Sequence, residues 1–144
     1  MPAAALDLSY RHSNLAASHV VLAARLALHV GDRERSEATI AEIVRWRRAD
    51  GPGGANAGSV FTNPPGDSAG RLIDAAGCKG LRIGSAEVSF KHANFIQADD
   101  HGRAADVLAL MHEVQRRVAA HSGVDLHAET RLVGFDDPRP PVEA

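Results

Sequence analysis

The chain has 144 residues, a length typical of one domain with a sizeable buried core. Hydrophobic residues make up 44% of the chain and charged residues 24%, which fits a soluble globular protein rather than a disordered one. The formal net charge of −2 excludes a strong basic field for nucleic acid or an anionic membrane surface.

The N-terminal region and the cysteine content indicate a cytoplasmic protein. The single cysteine, Cys78, excludes an internal disulfide framework and suits a reducing compartment. No apolar run approaches the roughly 18–20 residues that a membrane span requires. No Lys or Arg precedes Arg11, so the N-terminus does not resemble a signal peptide.

Residues 6–49 predict a strand end, a strand and a helix. Residues 6–13 are typical of a strand end that runs into a loop. Residues 19–30 alternate apolar positions with period two, which predicts a strand with one face towards a core. Residues 33–49 predict a helix with Asp32 as its N-cap and with arginines near its C-terminus. Those arginines could reach phosphates, or they could simply be a solvated helix end.

A loop of small residues, 51–57, follows that helix and leads into Asn56-Ala-Gly-Ser-Val-Phe-Thr-Asn-Pro64. Burial of the apolar pair Val60-Phe61 would fix the backbone and leave Ser59 and other polar side chains to face a ligand. A simple turn is the alternative. The serine has no G-x-S-x-G elbow around it, so little supports a serine hydrolase.

The second half of the chain predicts further helices and strands. A helix over 68–76 begins at Ser68, and strands over 86–90 and 95–98 flank a turn. The longest helix, 103–120, has an apolar stripe of Val107, Leu108, Met111, Val114 and Val118. A final strand region begins at Leu126. Together these elements predict an α+β fold, a two-layer sandwich with helices packed on a small mixed sheet.

The residues alone identify no metal or nucleotide site. The eight histidines form no ligand set of known spacing, so no metal is expected. The chain has no P-loop, and the glycines at 80 and 84 do not make a dinucleotide fingerprint. Ser59 and Glu129 could form an acid–base pair, but the residues do not show that the two meet.

Four ordered segments are similar to one known family. They are the Ser59 segment, residues 68–84, Val88-Ser-Phe-Lys-His-Ala-Asn-Phe-Ile96, and Leu126-His-Ala-Glu-Thr-Arg-Leu-Val-Gly134. The series closely resembles the C-terminal part of UDP-N-acetylenolpyruvoylglucosamine reductase, a flavoenzyme that makes UDP-N-acetylmuramate for bacterial peptidoglycan. Tyr10-Arg-His-Ser13 resembles the Tyr-Arg-x-Ser segment that closes the family's preceding domain. The resemblance implies the end of an FAD-binding region at 1–31, a substrate-binding C-terminal domain at 32–135, and a loose tail at 136–144.

The resemblance also implies roles for individual residues. In the family, NADPH reduces FAD, reduced FAD delivers hydride to one carbon of UDP-N-acetylglucosamine enolpyruvate, and a protein acid protonates the next carbon. Ser59 resembles the proton donor, and Glu129 resembles the active-site carboxylate. The segments that resemble substrate-contacting regions contain Tyr10, Arg11, Asn63, Lys91 and Asn94.

Departures from the family pattern limit what is expected of the chain by itself. Ser9 and Ser85 stand where glycine is usual, and Thr62 stands where lysine is frequent. The family's catalytic arginine and nearly all of its FAD contacts precede the region that is matched. We therefore expect the chain to bind neither FAD nor NADPH alone, and to be active only with a flavin-binding part, such as a separate chain. The alternative is a stand-alone UDP-sugar binding module or an inactive remnant, with no nucleic-acid or membrane partner in either case.

Overall fold

The computed structural model describes residues 1–16 and 18–135, apart from the side chain of Asp50. The elements in chain order are α1 (Arg33–Asp50), β1 (Ala55–Asn56), α2 (Ala69–Ala75), β2 (Arg82–Ile83), β3 (Ala86–Val88), β4 (Ile96–Ala98) and α3 (Ala104–Ser122). The chain divides into two compact units. One contains Met1–Ser36 with the described residues from Leu132, and the other is Glu37–Arg131. The predicted tail at 136–144 lies outside the described residues.

The four strands form one sheet in the order β1-β4-β3-β2, and all three pairings are antiparallel. Helix α3 packs on β2 and β3, and α2 packs on α3. The predicted α+β fold is therefore confirmed, but the prediction of a mixed sheet was wrong. The turn between β2 and β3 contains only Gly84 and Ser85, and a parallel pairing would need a much longer crossover.

Helix α3 supplies most of the apolar contact with the sheet. Its fully buried side chains are Leu110, Met111, Val114 and Val118. They share one helical face, and the sheet presents Ala86, Val88 and Ile96 as buried residues. The predicted stripe was correct for three of these four positions. The true face is centred slightly further along the helix, so that Leu110 is buried while Val107 and Leu108 are only half-buried.

Helix α1 begins where the sequence predicted, because Asp32 satisfies an N–H group of its first turn. The Arg35 backbone N–H donates to Asp32 Oδ1 at 2.7 Å. Ile40, Ile43 and Val44 lie at helical spacing on one face of this helix, but that face is exposed: the three side chains retain 61%, 49% and 40% of their accessible surface. Within the described residues, α1 thus contributes no side chain to the core.

Three predicted strand regions form no regular strand in the described residues. Residues 19–30 form no strand, and Leu22 and Val30 are 91% and 105% exposed. A period-two pattern marks a face, but a strand also needs a neighbour that bonds its N–H and C=O groups. Residues 6–13 form a turn after a short 3-10 helix, Ala3–Leu6, and the region from Leu126 forms only an isolated bridge, between Ala128 and Phe61.

Ser85 joins the β2–β3 turn to the first turn of α3. Its backbone N–H and its hydroxyl donate to Asp106 Oδ2 at 2.9 and 2.8 Å, and its Oγ accepts from the Arg103 N–H at 2.8 Å. The backbone N–H first, and then the hydroxyl, hold the pKa of Asp106 below its usual range. Asp106 is therefore bonded as an anion near the positive end of the helix dipole.

We expect Ser85→Ala to lower the free energy of unfolding by about 1 kcal/mol at neutral pH, because the Arg103 N–H loses its acceptor and Asp106 loses a donor. A depressed carboxylate pKa stabilises the fold fully above pH 3.8, the ordinary pKa of this carboxyl group. That stabilisation is lost as the pH falls through the lower pKa of the folded state. The difference between wild type and variant should therefore narrow on acidification below about pH 4, as measured by urea unfolding.

Ser122→Ala is the matched control, since that hydroxyl donates only to the Val118 carbonyl of its own helix. Its effect should be independent of pH over the same range. An Ser85→Ala difference that stays constant down to pH 2 would contradict the link to Asp106.

Candidate active site on the Ser59 loop

The glycine-rich loop before Ser59 is organised by Asn56. The Asn56 side-chain N–H group donates to the Pro52 and Gly54 carbonyls at 3.3 and 3.2 Å, and its Oδ1 accepts from the Gly58 N–H at 3.0 Å. Gly58 has a φ of +83°, a left-handed conformation that a side chain would strain. This role of Asn56 was not predicted from the sequence, although an Asn side chain that bonds the backbone two residues further on is a known signal for such a turn.

The segment after Ser59 is held on both sides by backbone hydrogen bonds. On one side, the Val60 N–H donates to the Asn94 carbonyl at 2.9 Å. On the other side, the Glu129 N–H donates to the Val60 carbonyl at 2.8 Å, and the Thr62 N–H donates to the His127 carbonyl at 2.9 Å. Val60 and Phe61 are buried, as the sequence predicted. The Ser59 loop is therefore attached to a rigid centre.

The structure brings the segments of Ser59 and Glu129 together. The amide of Glu129 bonds to the carbonyl of the residue that directly follows Ser59, and both residues are half-buried. The sequence could not show this proximity, because it depends on a long-range bridge between Phe61 and Ala128. The roles of Ser59 as proton donor and Glu129 as active-site carboxylate stay predictions.

Asn94 acts as a buried clamp on Phe61. Its Oδ1 accepts from the Phe61 N–H at 2.9 Å, and its Nδ2 donates to the Phe61 carbonyl at 2.8 Å. The residue is only 4% exposed, so both bonds lie in the interior, where an unsatisfied backbone group is unfavourable. The predicted contact of Asn94 with substrate stays a prediction, but its amide already has a structural partner at each end.

Asn63 connects the Ser59 segment to the start of α2. Its Oδ1 accepts from the Ala69 N–H at 3.0 Å, while the Ser68 hydroxyl accepts from the Arg71 N–H at 3.3 Å. Asp67 accepts from the Ser68 N–H and is paired with Arg71, and the Arg71 hydrogen bond is the main cause that lowers the pKa of Asp67 to about 2. Asn63 is exposed and its contact with substrate stays a prediction.

Lys91, Tyr10 and Arg11 are the other residues predicted to contact substrate, and these contacts stay predictions. Lys91 is exposed and its Nζ donates to the Ala49 carbonyl at 2.8 Å, near the C-terminus of α1. Tyr10 and Arg11 belong to the first unit. They form the tip of a turn closed by two reciprocal 3.2 Å backbone bonds between Ser9 and His12. The Arg11 guanidinium lies 5.8 Å from the centre of the Tyr10 ring.

Among the described residues, no three His, Cys, Asp or Glu side chains converge on a point that could hold a metal ion. In that same part of the chain, no helix combines the length and the hydropathy that crossing a bilayer requires. Burial raises the pKa of the Cys78 thiol, which keeps this cysteine in its neutral form.

These features define a class of protein: an α+β domain in which a serine-bearing loop is clamped by a buried asparagine and lies beside a segment that carries a carboxylate. Residues 50–133 match the family model of the UDP-N-acetylenolpyruvoylglucosamine reductase C-terminal domain. The chain therefore belongs to the UDP-N-acetylenolpyruvoylglucosamine reductase family.

Individual relatives agree with this assignment. The chain is 45% identical over 135 residues to UDP-N-acetylenolpyruvoylglucosamine reductase of Erythrobacter litoralis, covering 93% of the chain and 42% of the relative. It is 47% identical over 132 residues to that of Heliobacterium modesticaldum, covering 90% and 42%. The crystal structure of the Thermus caldophilus enzyme matches with a TM-score of 0.72 and 41% identity, over 88% of the chain and 45% of that structure. The chain thus spans less than half the length of these relatives.

We expect Asn94→Asp to lower the free energy of unfolding by about 1–3 kcal/mol at neutral pH. A carboxylate still accepts from the Phe61 N–H, but it cannot donate to the Phe61 carbonyl, which is left facing a second acceptor. Burial disfavours the charged form, so the loss should shrink as the pH falls and the new carboxyl gains a proton. Asn63→Asp is the control, because Asn63 is exposed and its side chain only accepts, from the Ala69 N–H. Equal effects of the two variants would argue against the clamp.

Thr130 lies two residues after Ala128, which forms the isolated bridge to Phe61, and its side chain gives another testable prediction. Its Oγ1 is buried and has no hydrogen-bond partner among the described residues. Thr130→Val, which has nearly the same shape, should leave the free energy of unfolding unchanged or raise it by up to about 1 kcal/mol. Thr62→Val is the control, since it removes a hydrogen bond to the His127 carbonyl. A clear loss of stability in Thr130→Val, by thermal or urea unfolding, would show that this hydroxyl is bonded.

Proposed function

We propose that the chain is the substrate-binding and proton-donating part of a reductase that converts UDP-N-acetylglucosamine enolpyruvate to UDP-N-acetylmuramate for peptidoglycan. The observation that carries this proposal is the hydrogen bond from the Glu129 amide to the Val60 carbonyl. It holds the residue that resembles the family's carboxylate beside the residue that resembles its proton donor. Membership of the reductase family supports the reaction class.

In this proposal Ser59 supplies a proton to carbon. A serine hydroxyl is a weak acid, so it protonates only a strongly basic carbon, such as the carbon next to the carboxylate after hydride has reached the neighbouring carbon. The enolate that hydride addition forms needs fixed hydrogen-bond donors or positive charge at its oxygens. Glu129 would help only as a neutral carboxyl or by orienting a donor, because an ionised carboxylate repels an enolate.

The N-termini of α2 and α3 are not free to bind the phosphates of a flavin dinucleotide. Phosphates of such cofactors usually sit at a helix N-terminus that follows a glycine-rich loop. The N–H groups at the start of α2 are taken by Asn63 and Ser68, and the first turn of α3 carries the anionic Asp106. Flavin, when bound, supplies the hydride. We therefore propose that FAD and NADPH bind to the part of the relatives that this chain does not match.

A stand-alone UDP-sugar binding module is the second candidate. In that case the chain would bind the UDP-sugar but would not turn it over, even when a flavin-binding part is present. Both candidates bind the UDP-sugar, and they differ in whether the chain also takes part in its reduction, with Ser59 as the proton donor.

The test joins a binding measurement to a turnover measurement. Calorimetry should show that wild type and Ser59→Ala bind UDP-N-acetylglucosamine enolpyruvate with the same Kd, since the hydroxyl acts on the proton and not on affinity. With the unmatched N-terminal part of the Erythrobacter litoralis enzyme added, Ser59→Ala should lower kcat for NADPH oxidation by about 10²–10⁴-fold.

Ser122→Ala is the matched control, because the Ser122 hydroxyl lies at the end of α3 and donates to the Val118 carbonyl of the same helix. It should leave both Kd and kcat unchanged. Wild-type turnover by Ser59→Ala would contradict the proton-donor role. Binding by wild type with no turnover in any mixture would favour the binding module, and no binding at all would contradict both candidates.

A further inference from the structure

Gln115 of α3 is hydrogen-bonded to the stretch of chain that leads to Glu129. Its side-chain Nε2 donates to the Leu126 carbonyl at 2.8 Å, across the turn that ends α3 at Gly123. Leu126 is buried and Gln115 is half-buried. The bond therefore lies at the edge of the core, where partial exclusion of water strengthens it.

Residues 126–131, here called the Glu129 segment, form no helix or strand that would fix their position. Three backbone hydrogen bonds link the segment to Thr62 and Val60. All three lead to the stretch that directly follows Ser59, which is itself irregular. The bond from Gln115 differs because it leads to a helix. It therefore gives the Glu129 segment an anchor that does not depend on the Ser59 loop.

Helix α3 is a rigid support for such an anchor. Gln115 lies within one turn of Met111 and Val118 and directly follows Val114, and all three of these side chains are buried. The helix packs on β2 and β3 through its apolar face. A side chain at the border of that face has a stem held by packing and an amide in a fixed place. Gln115 thus restrains the Leu126 carbonyl relative to the core.

The restraint on Leu126 bears on the position of Glu129. The two residues are three apart, which is about 10 Å along an extended chain. Groups that act on a substrate must be held within about 0.5 Å of the productive geometry. We propose that Gln115 is a positioning residue, whose amide fixes the Glu129 segment on α3 and so sets where the Glu129 carboxyl meets the substrate. This inference deepens the proposed function and rests on it for the role of Glu129.

The first test follows backbone amide resonances of the chain by NMR in wild type and in Gln115→Glu. The substitution keeps the shape of the side chain, but its ionised carboxyl cannot donate to the Leu126 carbonyl. At neutral pH the largest shift changes should occur at residues 126–130 and include the Glu129 amide. Below the ordinary glutamate pKa of about 4.3, the protonated carboxyl donates again, so the variant's shifts should return towards those of wild type at the same pH.

Gln97→Glu is the matched control, because Gln97 is the other glutamine of the chain and makes the same kind of bond elsewhere. Its Nε2 donates to the Gly53 carbonyl at 2.6 Å, in the glycine-rich loop before Ser59. The control should change the resonances of residues 52–56 and leave the Glu129 amide in place. Chemical shifts report the folded state itself, so a loss of stability alone does not produce this difference.

The second test measures turnover with the unmatched N-terminal part of the Erythrobacter litoralis enzyme, loaded with FAD. Gln115→Glu should lower kcat for NADPH oxidation by about tenfold, because the carboxyl is displaced from its working position. The Kd for UDP-N-acetylglucosamine enolpyruvate, measured by calorimetry, should stay at the wild-type value. When Glu129→Gln is already present, Gln115→Glu should cause no further loss of kcat, because the two residues act as one unit.

Two results would overturn the inference. One is a loss of stability in Gln115→Glu with the Glu129 amide resonance unmoved, since Gln115 would then support the fold alone. The other is losses of kcat by Gln115→Glu and Glu129→Gln that simply multiply in the double variant. A wild-type mixture without turnover would contradict the reductase role, whereas the resonances would still decide whether Gln115 positions the Glu129 segment.

Discussion

The paired hydrogen bonds between the Asn94 side chain and the Phe61 backbone are the constraint on which the site depends. Phe61 lies in the interior at 1% exposure, so its backbone N–H and C=O groups cannot rely on water as a hydrogen-bond partner. By satisfying both, Asn94 lets an irregular segment pass through the core beside the β3–β4 turn. The adjoining Val60 carbonyl can then accept from Glu129, which links the Ser59 loop to a distant part of the chain.

Two side chains near the Asn94–Phe61 pair each hydrogen-bond a separate stretch of backbone. Asn56 satisfies carbonyls of the glycine-rich loop and sets Gly58 in the turn that precedes Ser59. Asn63 satisfies an N–H group at the start of α2. The sheet and α3 supply the apolar core against which these polar anchors are held. A short segment with little regular structure can therefore keep a defined position, as an active-site loop requires.

The sequence predicted the three helices well because their signals are local. Asp32 and Ser68 cap their helices as expected, and a periodic apolar face identified α3. Local sequence signals did not predict the structural features that depend on residues distant in the chain. Residues 19–30 have a strand pattern, but no strand of the described chain lies beside them. The proximity of the Ser59 and Glu129 segments, and the clamp by Asn94, depend on pairings across the fold that no local pattern contains. Family resemblance predicted roles for Ser59, Glu129 and Asn94, but it did not reveal how Asn94 is bonded.

The most direct test of this account is to map substrate contacts by NMR, following backbone amide shifts while UDP-N-acetylglucosamine enolpyruvate is added to the wild-type chain. A site on the clamped loop predicts that the largest shifts occur at Gly58, Ser59 and Glu129, with small shifts on the far end of α3. Saturable shifts confined to other surfaces would contradict the account, because the substrate would then bind away from the Ser59 loop.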